Sequence, residues 1–139
     1  MTYRDLPENW TELPITTPGL AADAVDLFLG LNERLSDSIL FLLVDEENRI
    51  VPPPIVISDM PWHCEKDRRS HVFRTLRQVP IPRVIVAISS ARPIIRLLAQ
   101  VWLEVAQREL AKHNIELVGF FSASPRGVTE LPLRLVEAA

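Results

Sequence analysis

A single cysteine, Cys64, leaves the chain without any internal disulfide, so the fold must rest on its apolar core. Only 4 glycines occur, widely spaced, which excludes a glycine-rich phosphate loop. No apolar run approaches the roughly 20 residues that a membrane-spanning helix needs. The N-terminus, Met1-Thr-Tyr-Arg-Asp-Leu-Pro-Glu8, lacks the basic-then-apolar pattern of a secretory signal, so the cytoplasm is the expected compartment. Paired carboxylates for acid–base chemistry are absent as a motif, since Asp45-Glu46-Glu47 reads as a solvated turn.

What is present is an ordinary globular composition, 47% hydrophobic and 24% charged over 139 residues, enough for one domain with a core. The net charge of −3 is unevenly spread. Residues 1–65 hold 3 basic against 12 acidic side chains, whereas 66–96 hold 8 basic against the single acid Asp67. Such asymmetry fits a nucleic-acid or anionic partner, an acidic half folded against a basic middle, or two copies pairing opposite patches.

Residues 1–17, punctuated by Pro7 and Pro14, read as an extended arm whose Trp10 lies on a single α/β domain spanning 18–139. Burying that indole is worth about 2 kcal/mol. Thr17-Pro18 supplies a hydroxyl cap and a first-turn proline. Leu20, Ala24, Leu27, Phe28, Leu31 and Leu35 then continue one apolar stripe through Gly30 to about residue 35. Ser38–Val44 is apolar without alternation, as in a strand covered on both faces. The turn Asp45–Arg49 and the return over 50–57 predict a hairpin, with Pro52-Pro53-Pro54 confining its second strand to an edge or a bulge.

A second helix is expected over 67–79, with Val72, Phe73 and Leu76 inward and Arg68, Arg69, Arg74 and Arg77 outward. Arg83–Ser89 is a β-branched strand, and Pro93 opens a third helix over about 94–113. The apolar arc of that helix, about 200° wide, exceeds what one sheet face needs. It is either wedged between the sheet and another helix or faces a second subunit. Ile115–Ser122 and Val128–Leu131, joined by Ser124-Pro-Arg-Gly127, close the chain as two more strands. The order α-β-β-α-β-α-β-β implies a mixed five-stranded sheet in a three-layer α/β/α sandwich.

This order resembles the JAB-type, RadC-like domains of the cytidine-deaminase-like architecture. The resemblance is carried by Ile39–Val44 with its Asp45-x-x-Asn48-Arg49 turn, by Val84–Ile88, and by Asn114–Gly119 through Pro125-Arg-Gly127. Such enzymes place a His-x-His-Pro pair after the third strand and an Asp one or two turns into the next helix, holding a zinc that activates water. The corresponding stretch here is Ser89-Ser90-Ala91-Arg92-Pro93, with no carboxylate between Ile94 and Leu103. The deaminase version needs Cys-x-x-Cys, and the chain has one Cys. The resemblance therefore implies a relative without metal or cofactor, and without the hydrolysis they support.

Four sets of residues carry the remaining functional readings. Ser89, Ser90, Arg92 and Arg96 could bind a small anion or nucleotide at the start of the third helix, or simply cap it and pair with acids. Arg68, Arg69, Arg74 and Arg77 could track a nucleic-acid backbone, although no aromatic residue is interleaved to stack bases. Trp62, with Trp102 and Leu103, is the expected interface of a homodimer or of another protein partner. His63, Cys64 and His71 are the only soft ligands that cluster, as a zinc or thiol site or as loop packing. The leading expectation is a non-catalytic binding or regulatory module that forms a homodimer. The alternatives are anion or nucleotide binding at the third helix, and a zinc- or thiol-dependent hydrolase.

Overall fold

The uninterrupted apolar run Ser38–Val44 forms the strand β1 at the heart of the sheet, with all but one of its residues buried. A computed structural model describes residues 6–30, 34–60, 62 and 66–133, with the side chains at 66–68 and 77 left out. Five strands follow the order β2-β1-β3-β4-β5, where β2 is Ile55–Ile57, β3 Arg83–Ser89, β4 Glu116–Ser124 and β5 Gly127–Glu130. Only β3 and β4 run parallel; the other neighbouring pairs are antiparallel. The sheet is mixed, as the element order requires.

Alternate residues of the central strands feed two cores. Ile39, Phe41, Val84, Val86, Ile88 and Phe120 face one side, together with Trp102 and Leu110 of α3 (Arg96–Lys112) and Phe73 of α2 (Lys66–Phe73). Leu40, Leu42, Ile85, Ala87 and Phe121 face the other, against Ala24 and Val25 of α1 (Leu20–Phe28). Trp10 packs edge-on against Phe28 at 5.9 Å, which seats the preceding segment on this second face. None of the helices among the described residues is long and apolar enough to cross a membrane.

Several boundaries differ from the sequence expectation. Helix α1 starts at Leu20, because Gly19 takes φ 79° ahead of it and Thr17 contributes its carbonyl to a turn with the Leu20 N–H rather than a side-chain cap. It stops at Phe28, with Leu29 as its C-cap, and so does not run through Gly30. Helix α2 tightens into a 3₁₀ turn over Arg74–Gln78 before Pro80 and Pro82. Pro93 does not open α3; residues 93–95 stay non-helical, with Ile95 extended at ψ 145°, and the helix begins at Arg96. Strand β2 is shorter than the expected return, because the three prolines interrupt it and leave it at the sheet edge.

The Asp45–Arg49 turn is held by a polar network rather than left as a free acidic loop. Asp45 Oδ1 accepts the Glu47 and Arg49 N–H groups, each at 2.9 Å. The backbone donation from Arg49 holds the Asp45 carboxyl below the usual carboxylate range, assisted by the Glu47 N–H and by the charges of Arg49 and Arg83. Arg83 crosses from β3 to donate to the Glu46 carbonyl at 3.0 Å and to Asn48 Oδ1 at 2.9 Å. Here a basic side chain of the middle segment does fold against the acidic half.

Candidate functional site

Strands β3 and β4 end side by side, Ser89 opposite Ala123, and the chain leaves β3 through Ser90–Ile95 to reach α3. Such a position, outside the carboxyl ends of parallel strands, is where open α/β sheets collect their ligands. The first α-helical bond there runs from the Ala99 N–H to the Ile95 carbonyl at 3.0 Å. The N–H groups of the first turn therefore lack intrahelical acceptors, and no side chain among the described residues caps them.

A cleft of about 250 Å³ opens between this turn and the β4–β5 hairpin. Pro93, Ile94, Arg96 and Ala99 line it on the helix side, and Ser122, Ser124, Thr129 and Leu131 on the hairpin side. The register explains why the hydroxyls meet there. Ser122 lies directly opposite Thr129 and Ser124 opposite Gly127, so these positions share the sheet face of Phe120 rather than that of Phe121. Gly127, at φ 149°, closes the two-residue turn, and a Cβ there would meet nothing within 4 Å. Ser124 Oγ accepts the Arg126 N–H at 3.3 Å. The hydroxyls of Ser122 and Thr129 and the guanidinium of exposed Arg96 have no partner among the described residues.

Glu130 also borders the cleft, but it pairs with Phe121 and so carries its carboxylate to the opposite sheet face. There it lines a separate hollow with Thr16 and Thr17. Among the described residues, Arg96 borders the first cleft on the helix side, and Glu130 is the one acidic residue at its rim.

Structure and sequence expectation disagree over several candidate residues. Ser89 is fully buried, donates its hydroxyl to the Ser38 carbonyl at 3.3 Å, and offers its own carbonyl to the Trp62 indole; it belongs to the core, not to a ligand. Ser90 is half-buried and gives its N–H to the Ala123 carbonyl at 3.2 Å. Arg92 is exposed, on the far side of Pro93 from Arg96, and lines a second hollow of about 280 Å³ with Asp37, Trp62 and Leu98. The four expected anion ligands are thus divided among the core and two clefts.

Trp62, Trp102 and Leu103 are not surface anchors: they are 4%, 0% and 0% exposed. Trp102 donates its Nε1–H to the Trp62 carbonyl, and from Ala99 to Leu110 the apolar arc of α3 is covered within the chain by the sheet, α2 and Trp62, while Ile95 and Leu97 stay exposed. The arc is therefore no argument for a second subunit. Of the expected basic row, Arg74 on the 3₁₀ turn is exposed and Arg69 on α2 is half-buried, its Nε without a partner among the described residues; the side chains of Arg68 and Arg77 lie outside the described residues. His63 and Cys64 also lie outside them. His71 is exposed, its Nδ1 3.4 Å from Arg74, and no group of His, Cys, Asp and Glu suited to a metal forms among the described residues.

Ser122, Ser124, Thr129 and Asp37 carry no functional motif in the sequence. A signal for the first two is the alternation Phe121-Ser122-Ala123-Ser124, polar positions on one face of an otherwise apolar strand. No protein-family model matches the chain, and no curated protein matches it.

Proposed function

We propose that the chain is a binding module that takes a small organic anion in the cleft between the first turn of α3 and the β4–β5 hairpin. The observation that carries this reading is the set of donors left free there. Arg96, Ser122 and Thr129 line one hollow without partners among the described residues, beside a first helical turn that no side chain caps. A guanidinium grips a carboxylate or phosphate through two parallel hydrogen bonds, and helix-start N–H groups and hydroxyls satisfy further oxygens. Ile94, Ala99 and Leu131 provide an apolar wall for a short hydrocarbon body.

The scaffold reading goes with it: a relative of the JAB-type, RadC-like domains in which binding replaces zinc hydrolysis. Two things support this. The order α-β-β-α-β-α-β-β is present, and the mouth after β3 reads Ser89-Ser90-Ala91-Arg92-Pro93 where those enzymes carry His-x-His-Pro.

Thermal denaturation against phosphate monoesters, nucleotides and short carboxylates tests the proposal. A ligand at 100 times its Kd adds about 2.7 kcal/mol and raises Tm by several degrees. That rise is expected to disappear in Arg96→Ala and shrink in Ser122→Ala, with the unliganded Tm unchanged. A flat response across all three classes of anion would overturn the reading.

A further inference from the structure

We propose that the second hollow, across the Pro93–Ile94 wall from the anion cleft, binds a zwitterion: an α-amino acid with an apolar side chain. Asp37, on the approach to β1, and Arg92, in the loop leaving β3, both line this hollow of about 280 Å³. The side chain of neither has a hydrogen-bond or ion-pair partner among the described residues, and the two do not pair with each other. A carboxylate residue and a guanidinium residue thus border one hollow without forming an ion pair with each other.

Apart from Ser90, the rest of the lining is apolar. Ile94 and Leu98 pack against the main core, and the Trp62 ring is fixed by its 3.0 Å donation to the Ser89 carbonyl. A ligand with one charge would engage only one of Arg92 and Asp37. A ligand whose carboxylate meets Arg92 and whose ammonium meets Asp37 satisfies both, and its side chain falls on Ile94, Leu98 and Trp62. The volume lies at the small end for ligand cavities, which suits a single amino acid. This inference uses neither Arg96 nor the β4–β5 hydroxyls and stands apart from the anion reading.

Isothermal titration of the full chain with L-leucine, L-isoleucine, L-valine and L-phenylalanine tests it. 4-Methylpentanoate and 3-methylbutylamine serve as controls that keep one charge of leucine each. At least one amino acid is expected to bind, with both one-charge analogues at least tenfold weaker. Asp37→Asn and Arg92→Gln should each weaken binding at least tenfold while leaving the unliganded Tm unchanged, and Arg96→Ala should leave the affinity as it was. No binding by any of the four amino acids would overturn the proposal. So would equal affinity for a one-charge analogue, or a loss in Arg96→Ala that spares Arg92→Gln.

Discussion

Trp102 and Trp62 stand edge to face, ring centroids 5.0 Å apart and planes at 86°, with the Trp102 indole N–H on the Trp62 backbone carbonyl at 3.0 Å. The Trp62 indole in turn donates to the Ser89 carbonyl at 3.0 Å. This chain of two hydrogen bonds ties the middle of α3, the loop before α2 and the end of β3 into one rigid corner. The second hollow, lined in part by Trp62, opens beside that corner.

Replacing Trp62 by Phe keeps most of the apolar volume but leaves the buried Ser89 carbonyl without this donor. The expected cost is about 1–3 kcal/mol. Trp102→Phe loses the equivalent bond to Trp62 and should cost a similar amount. Urea denaturation of each variant checks this, and a cost below about 0.5 kcal/mol for both would mean that neither bond matters to stability.

Glu109 is a nearly buried carboxylate on α3, 5% exposed. The hydrogen bond from Lys112 at 2.9 Å lowers its pKa, with further help from Ser70 of α2 and the Arg108 charge, against the opposing effect of burial. A carboxyl whose folded pKa lies below its unfolded value gives stability that is complete above the ordinary glutamate pKa of about 4.3. That stability is lost as pH falls through the lowered value. Glu109→Gln is expected to cost about 1–2 kcal/mol at pH 7 and to flatten the stability profile below about pH 4.3. Parallel urea titrations of the two proteins across this range provide the comparison.

Asn48 sits at φ 63° and accepts from Arg83 at 2.9 Å, so it combines a left-handed backbone with a tertiary hydrogen bond. Asn48→Gly loses only the bond, whereas Asn48→Ala loses the bond and strains the backbone. Ala should be the worse substitution, by about 1 kcal/mol. Equal stability of the two variants would remove the strain from this account.

Strands β1 and β3 were legible in the sequence because each is an apolar run with turn chemistry beside it. Ser38–Val44 and Arg83–Ser89 have the bounds their composition predicts. Helix ends were less legible, because they depend on backbone choices that residue type only biases. Gly19 takes a left-handed conformation that displaces the expected Thr17 cap, and an extended Ile95 delays α3 past Pro93. Ile94 on this extended stretch packs against the core, which gives the delay a physical purpose.

The site was legible only in part. A lone Trp in a polar loop reads equally well as surface or core, and Trp62 is buried by a partner 40 positions away. The same holds for Ser89, whose hydroxyl is consumed by a neighbouring strand that local sequence does not name. Arg96 keeps its expected place at the start of α3, but the hydroxyls beside it come from the register between β4 and β5, Ser122 opposite Thr129. Pairing of that kind is a property of the folded sheet.

Anion binding in the cleft beside α3 is tested most directly by following backbone amide resonances while inorganic phosphate is added, with Arg96→Ala as the control. The account predicts saturable shifts at Arg96, Leu97 and Leu98 and at Ser122 and Gly127–Thr129, all absent in the variant. Shifts that never saturate, or that persist unchanged in Arg96→Ala, would contradict it.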